Sequence, residues 1–253
     1  MIQLTNIQKS YQDGEGQLNH VLRDVNLNID KGTFIAVKGP SGSGKTTLLS
    51  LLGTLLQPDS GSYRFNGMEM TAPGINYADI RHKQIGFIFQ DHRLLPQYTA
   101  WENILLPALA YRSQVRKEDI EYARLLLELT RITPVAKQYP HQLSGGESGR
   151  TAICRALIMK PLLLLADEPT GQLDAENAKN IGSLLVDINK TLHTTIVLAT
   201  HSNDLASLAH TIIELRNSPF EGGQGDVRNP SPFEGGQGDV RNPSPFEGVR
   251  EMY

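Results

Sequence analysis

Two glycine-rich stretches and one acidic pair are the residues of this chain best suited to chemistry. The first stretch, Gly39-Pro40-Ser41-Gly42-Ser43-Gly44-Lys45-Thr46, satisfies G-x-x-x-x-G-K-[ST] in full and runs on into Thr47. Glycines at these positions let backbone N–H groups curl around a β-phosphate at a helix amino terminus. Lys45 would neutralise β/γ oxygens there, and the Thr46 hydroxyl would ligate Mg²⁺. The acidic pair, Asp167-Glu168, ends the apolar run LLLLADE, Leu162 to Glu168. By itself such a pair would cap a following helix near Pro169-Thr170. Beside a phosphate loop it reads instead as a metal-holding carboxylate, Asp167, followed by one that polarises an attacking water, Glu168. The second glycine stretch, LSGGESGR from Leu143 to Arg150, is left without a ligand in this scheme, because the first loop already accounts for a bound phosphate.

These groups need rigid elements to hold them. TFIAVKG (Thr33 to Gly39) is a short β-branched run that feeds the first loop, and TTLLSLLGTLL (Thr46 to Leu56) continues it as an apolar helix. LLLLADE and TTIVLATH (Thr194 to His201) read as buried strands with their polar residues at the carboxyl ends, where ligands of parallel sheets sit. SGSYRFNGMEM alternates around Asn66-Gly67, a strong hairpin signal, so an antiparallel piece is expected as well. Residues 91 to about 160 are mostly helical by periodicity, as in EDIEYARLLLELTRI, which predicts a helical subdomain inserted into the core.

Composition limits the rest. With 24 Lys plus Arg against 27 Asp plus Glu, the net charge of −3 gives no reason to expect nucleic acid as a partner. The single cysteine, Cys154, excludes an intrachain disulfide and fits a reducing, cytoplasmic location. No apolar run reaches the length of a signal peptide or a bilayer span, so work at a membrane would require another subunit as anchor. Near Arg216 the character of the sequence changes: NPSPFEGGQGDVR recurs with a period of 13 residues, in copies starting at Ser218, Ser231 and Ser244. Three copies of this Pro/Gly-rich unit bury too little apolar surface to offset the entropy of ordering, so residues 217–253 are expected to form a disordered tail after a domain spanning 1–216. The codons for Pro-Phe-Glu-Gly can be written as a self-complementary palindrome, so a mobile DNA element read through in frame could produce such a tail.

In chain order, Tyr11, GPSGSGKT, Gln90, LSGGE, LLLLADEPTGQLD and His201 resemble the ATP-binding cassette ATPases over residues 1 to 216. The segments VLRDVNLNI, IGFIFQDHRLLPQYTAWENILLP and YPHQLSGGE are similar to the bacterial subgroup of lipoprotein-releasing, macrolide-efflux and cell-division members. The resemblance implies an α/β fold: a P-loop NTPase core with a mixed sheet, an antiparallel β subdomain and an inserted helical subdomain. It also implies that two nucleotide domains pair head to tail. Ser144, Gly145, Gly146 and Glu147 of one would grip the γ-phosphate of ATP held on the phosphate loop of the other, with Asp174 at the seam. The second glycine stretch would then hold a neighbour's ATP, through a serine hydroxyl, a close backbone approach and the positive end of a helix. By the same resemblance Tyr11 stacks on adenine, Gln90 reaches Mg²⁺ and the attacking water, and His201 contacts the γ-phosphate beside the base Glu168. Mg²⁺ would then be held by Thr46, Gln90 and Asp167.

The function so implied is that of a peripheral ATPase subunit on the inner face of the bacterial cytoplasmic membrane. It is a homodimer when ATP is bound, and it drives integral membrane permease subunits through a groove below Gln90 with Leu94, Leu95 and Pro96 as an apolar lip. Lipoprotein release is the first expectation for cargo and efflux the next, with a cell-division-type regulatory ATPase as the alternative. The chain departs from the family pattern in three places. Glu147 stands where Gln is commoner, a change this subgroup tolerates, and Ser148-Gly149 replaces a pair of long polar residues, at a helix cost of about 0.5–1 kcal/mol for the glycine. The repeat tail replaces the family's short segment after HTIIELR.

Overall fold

The computed structural model describes residues 1–12, 18–110, 112 and 114–215. The repeat tail expected from the sequence lies outside these residues. The strands form two sheets. Four of them, β1 (Ile2–Gln12), β2 (Leu18–Ile29), β4 (Ser60–Phe65) and β5 (Met68–Glu69), make an antiparallel sheet in the order β2-β1-β4-β5. The other five, β3 (Phe34–Lys38), β6 (Ile85–Ile88), β7 (Leu163–Asp167), β8 (Thr195–Thr200) and β9 (Thr211–Glu214), make a parallel sheet in the order β6-β7-β8-β3-β9. The mixture of strand directions expected from the sequence is thus shared between two sheets.

The central strands β3, β7 and β8 are apolar except at their ends because both faces of the parallel sheet are covered. Phe34, Leu164, Ala166, Ile196 and Leu198 point into one core cluster, while Ile35, Val37, Leu163, Leu165, Val197 and Ala199 point into the other. That division is the period of two of a β-strand, and each fully buried aliphatic side chain contributes about 1.5–3 kcal/mol. On the second face lie α1 (Lys45–Leu52), α2 (Tyr77–Gln84) and the antiparallel sheet. On the first face lie α3 (Ala100–Leu109), α4 (Lys117–Leu129), α5 (Gly145–Leu157) and α6 (Ala175–Leu192). Ile104, Leu126 and Ile153 of the inserted helices belong to the same cluster as Phe34 and Ile88, so those helices share their core with the sheet.

Local signals explain most boundaries. Asn66 and Gly67 both take positive φ, 50° and 81°, as a two-residue hairpin turn requires. The helix expected over Thr46 to Leu56 stops at Leu52 instead. A Cβ on Gly53 would lie 2.0 Å from Phe87 Cζ, so the chain turns where only glycine lets it pack on β6, and Thr54 follows in a left-handed conformation. The acidic pair does not cap a helix: Asp174 does, accepting from Asn177 N–H at the start of α6.

Candidate active site

The carboxyl ends of β3 and β7 converge on one site. After β3 the chain loops through Gly42 and Gly44, with φ of 79° and 92°, and enters α1 at Lys45. Gly39 is equally constrained, since a Cβ there would lie 2.5 Å from the Leu215 carbonyl oxygen. Lys45 is buried and folded back on the loop, donating to the carbonyl oxygens of Gly39 at 2.8 Å and Pro40 at 3.1 Å. Pro40, Ser41, Gly42 and Thr46 are exposed around it, Thr47 is half-buried, and Ser43 Oγ is buried without a hydrogen-bond partner among the described residues. An orphaned hydroxyl and a folded-back ammonium under an open glycine cradle are what a loop awaiting a polyanion should present.

Asp167 ends β7 beside this loop. Burial pushes its carboxyl up, while a hydrogen bond with Thr46 opposes that rise, and its Oδ1 has no partner. The pair fits a hard cation: two oxygen ligands from α1 and β7, one of them with unused acceptor capacity, next to the place for phosphate oxygens. Among the described residues no cluster of three His, Cys, Asp or Glu side chains could hold a metal by itself, so these two would share the ion with the nucleotide. Glu168 follows with φ of 46°, a left-handed backbone that turns its side chain into the site. Its carboxylate lies 2.8 Å from His201 Nδ1 and 3.8 Å from Lys45 Nζ. Gln90 is exposed just past β6, and its Nε2 would lie 3.2 Å from a Cβ on Gly171, in the turn that Glu168 opens. Tyr11 is 40% exposed on β1 and pairs with Asn19 of β2, whose Val21 borders Gly44. Its strand pair therefore runs along the rim of the phosphate loop.

The remaining expected residues form a second patch, made of two helix amino termini side by side. Ser144 caps α5 in a reciprocal box: its Oγ donates to Glu147 Oε2 at 2.8 Å and accepts from Glu147 N–H at 3.3 Å. The Ser144 hydrogen bonds in turn hold the Glu147 carboxyl below its usual range. Gly146 abuts α6, where a Cβ would lie 2.4 Å from Asn177 Oδ1, and Asp174 fixes that same Asn177 side chain at 2.7 Å. Among the described residues no hydrogen bond or ion pair joins this patch to the phosphate loop.

Two positioning residues escaped the sequence reading. Asn103, fully buried in α3, binds the loop before it, accepting from Leu95 N–H and donating to the carbonyl oxygens of Leu95, Tyr98 and Thr99. The exposed apolar residues Leu95, Pro96 and Tyr98 are thereby held in one fixed loop. Arg155 of α5 donates to the carbonyl oxygens of His92 and Arg93, each at 2.6 Å, and so ties the segment after Gln90 to the helix that Ser144 starts. The available signal was a polar residue inside an otherwise apolar helix, Asn in WENILLP and Arg in AICRALIM, where the helix alone gives it no reason to stand.

A strand, a glycine loop, Lys45 at the head of a helix and an acid at the end of a parallel strand one removed in the same sheet, with β8 between, define a P-loop nucleoside triphosphatase. Residues 22–171 match the family model described as ABC transporter. The lipoprotein-releasing system ATP-binding protein LolD 1 of Rhodopirellula baltica is 45% identical over 216 residues, which is 85% of this chain and 93% of that protein. The macrolide export ATP-binding/permease protein MacB of the same organism is 41% identical over 86% of this chain, a span that takes in 32% of MacB. Among solved structures, the dimeric post-hydrolysis state of the ATP-binding cassette MJ0796, bound to ADP and Pi, matches with a TM-score of 0.77 and 37% identity, covering 85% of this chain and 94% of that one. The chain belongs to the ABC transporter ATP-binding family. It is an ATPase, the nucleotide-binding subunit of a transporter.

Proposed function

We propose that this chain hydrolyses ATP in a head-to-tail homodimer at the cytoplasmic face of a bacterial membrane, and thereby powers separate membrane subunits that release lipoproteins. The observation that carries the shared site is the division of the functional residues into two patches, with Ser144 and Asp174 on one and Lys45 on the other. An ATP-sandwiched dimer unites them, in keeping with the dimeric cassette to which the chain is similar. The lipoprotein assignment is supported by the likeness to LolD along 93% of that protein. Among the described residues no helix is long and apolar enough to cross a membrane, and a peripheral subunit needs none.

In this reading Lys45 and the loop N–H groups hold the β- and γ-phosphates, Tyr11 covers the adenine, and the exposed Ser41 and Gly42 line the rim. Mg²⁺ would be held by Thr46 and Asp167, with Gln90 within reach, and when bound supplies charge neutralisation at the phosphate oxygens. Glu168 takes a proton from water as the water oxygen bonds to the γ-phosphorus and the bond to the β-phosphate oxygen breaks. His201, in contact with Glu168, orients that carboxylate and meets the γ-phosphate. From the partner's side Ser144 and the backbone of Gly145 and Gly146 close on the same phosphate. Helix α5, 13 residues or about 20 Å long, joins that grip to Arg155 and the segment after Gln90.

The direct test is Lys45→Ala. Calorimetry should register a large loss of ATP affinity, with no turnover remaining, because a neutral methyl cannot replace an ammonium at the phosphates. Unchanged affinity would remove the phosphate loop from the reaction.

A further inference from the structure

Strand β3 ends on a cation. Alternation along the strand puts Phe34 on one face of the sheet and Ile35 and Val37 on the other, where α1 packs, so Lys38, in step with Phe34, lies on the face away from α1. There the half-buried Lys38 donates from Nζ to Asn203 Oδ1. Asn203 opens α7 (Asn203–Ala206), the short helix that follows His201, and Lys38 immediately precedes the phosphate loop at Gly39. One charge-assisted hydrogen bond thus joins the loop that presents Lys45 to the loop that presents His201.

Packing does little to hold His201, whose side chain is 72% exposed. Its Nδ1 lies 2.8 Å from Glu168 Oε2, and its backbone N–H donates to the same oxygen at 3.4 Å, so its placement against the base depends on the turn that carries it. Two hydrogen bonds shape that turn from inside: Ser202 N–H donates to Thr200 Oγ1 at 3.0 Å, and Ser202 Oγ accepts from Leu205 N–H at 3.3 Å. They fix its shape but not its position relative to the phosphates. Position comes from β3, which grips the segment at both ends. At its start Phe34 N–H donates to His210 Nδ1 at 3.0 Å, and the Phe34 carbonyl accepts from His210 N–H at 2.8 Å. At its end Lys38 holds Asn203, two residues from His201.

We infer that Lys38 is a positioning residue for hydrolysis: through Asn203 it sets where His201 stands against Glu168 and the γ-phosphate. The inference rests on the proposed role of His201 in ATP hydrolysis and deepens it by naming what holds that side chain in register with the phosphate loop. Reacting groups lose rate steeply when displaced by a fraction of an ångström, so a tie two residues away suffices to matter. A direct contact of Lys38 with phosphate fits less well, because its ammonium is engaged by Asn203 on the sheet face opposite α1, the helix that Lys45 heads. The effect therefore falls on turnover and leaves ATP affinity to Lys45.

The test splits turnover from binding in the full chain. In Lys38→Met, turnover at saturating ATP should fall about fivefold to tenfold while ATP affinity by calorimetry stays within about twofold. Asn203 is exposed, so Asn203→Ala keeps the fold and should reproduce the same split, whereas Asn203→Asp, which retains an acceptor of the same size, should turn over as the wild type does. The double variant Lys38→Met with Asn203→Ala should be no slower than either single one, because both remove the same bond. With ¹³C-labelled histidines, the ring signal that His201→Ala deletes should shift in Asn203→Ala. Wild-type turnover in Asn203→Ala, a parallel loss of ATP affinity, a slowed Asn203→Asp, an additive double variant or an unmoved His201 signal would each overturn the inference. Wild-type turnover in His201→Ala would count instead against the proposed role of His201, so the two failures are told apart.

Discussion

At the first glycine loop Lys45 turns back onto the carbonyl oxygens of Gly39 and Pro40, and Ser43 Oγ is buried with no partner. At the second, the Ser144 hydroxyl both gives and receives a hydrogen bond within its own first turn. Both loops open helices at which backbone N–H groups point outward, so their backbones alone would make them equivalent anion sites. Their side chains separate them. The first has polar capacity that no described residue uses, the Ser43 hydroxyl, and a polyanion would satisfy it. The second is closed by the Glu147 carboxylate, which occupies the serine proton and carries charge of the wrong sign for a phosphate. Ser144 must release Glu147 before it can donate to a γ-phosphate, so the second loop should bind only a phosphate that is already held elsewhere.

The harshest way to break this contrast acts at the first loop. Glu168→Gln keeps the size of the side chain and a hydrogen-bonding group near His201 but removes the basic carboxylate. ATP should still bind and turnover should fall by roughly 10² or more. Wild-type turnover in that variant would mean that the base is not at the first loop.

Ser144→Arg acts at the second loop. A long cation at the cap should block closure, and turnover should fall by about tenfold or more because the neighbour's phosphate loses its donors. ATP affinity of the isolated monomer should stay as it is, since Lys45 and Asp167 are untouched. The measurement is a paired one, of nucleotide affinity at low protein concentration and turnover at high concentration. Hydrolysis at the wild-type rate, where the wild type dimerises on ATP, would show that the second loop holds no neighbour's phosphate.

Much of this contrast was legible in the sequence because it rests on local rules. The strand-loop-helix context of Gly39 to Thr47, the Asn66-Gly67 turn and the strand ends at Asp167 and His201 follow from turn chemistry and periodicity, which act over a few residues. Residues whose role depends on distant chain were not legible. Asn103 matters because its side chain spans back to Leu95, and Arg155 because α5 passes beside residues 92 and 93 some 60 positions earlier. Helix α1 ended early for the same kind of reason, a Phe87 ring on another strand that leaves room only for Gly53. The closed box at Ser144 is a local pattern too, S-x-x-E, in which the acid three residues after the cap serine folds back onto it.

The smallest expected effect concerns Gly149, where the second loop's helix departs from the family pattern. The residue is buried in α5, and a Cβ there would meet His92 Cε1 and Ile181 Cδ1 at 3.5 Å, ordinary van der Waals contact. Its backbone is helical, so alanine needs no change of conformation. Gly149→Ala should therefore recover the helix cost of about 0.5–1 kcal/mol and raise the melting temperature by roughly 1–4 °C. A longer residue would instead have to displace the His92 ring, whose buried position lowers its tendency to protonate and whose carbonyl oxygen is held by Arg155. Thermal unfolding of the alanine variant reports the stability, and turnover measured beside it sharpens the contrast between the loops. If the glycine merely replaces a better helix former, turnover is unchanged while stability rises. If turnover falls as stability rises, the softness of this helix is part of how Ser144 leaves Glu147, and the second loop differs from the first in its mechanics as well as in its charge.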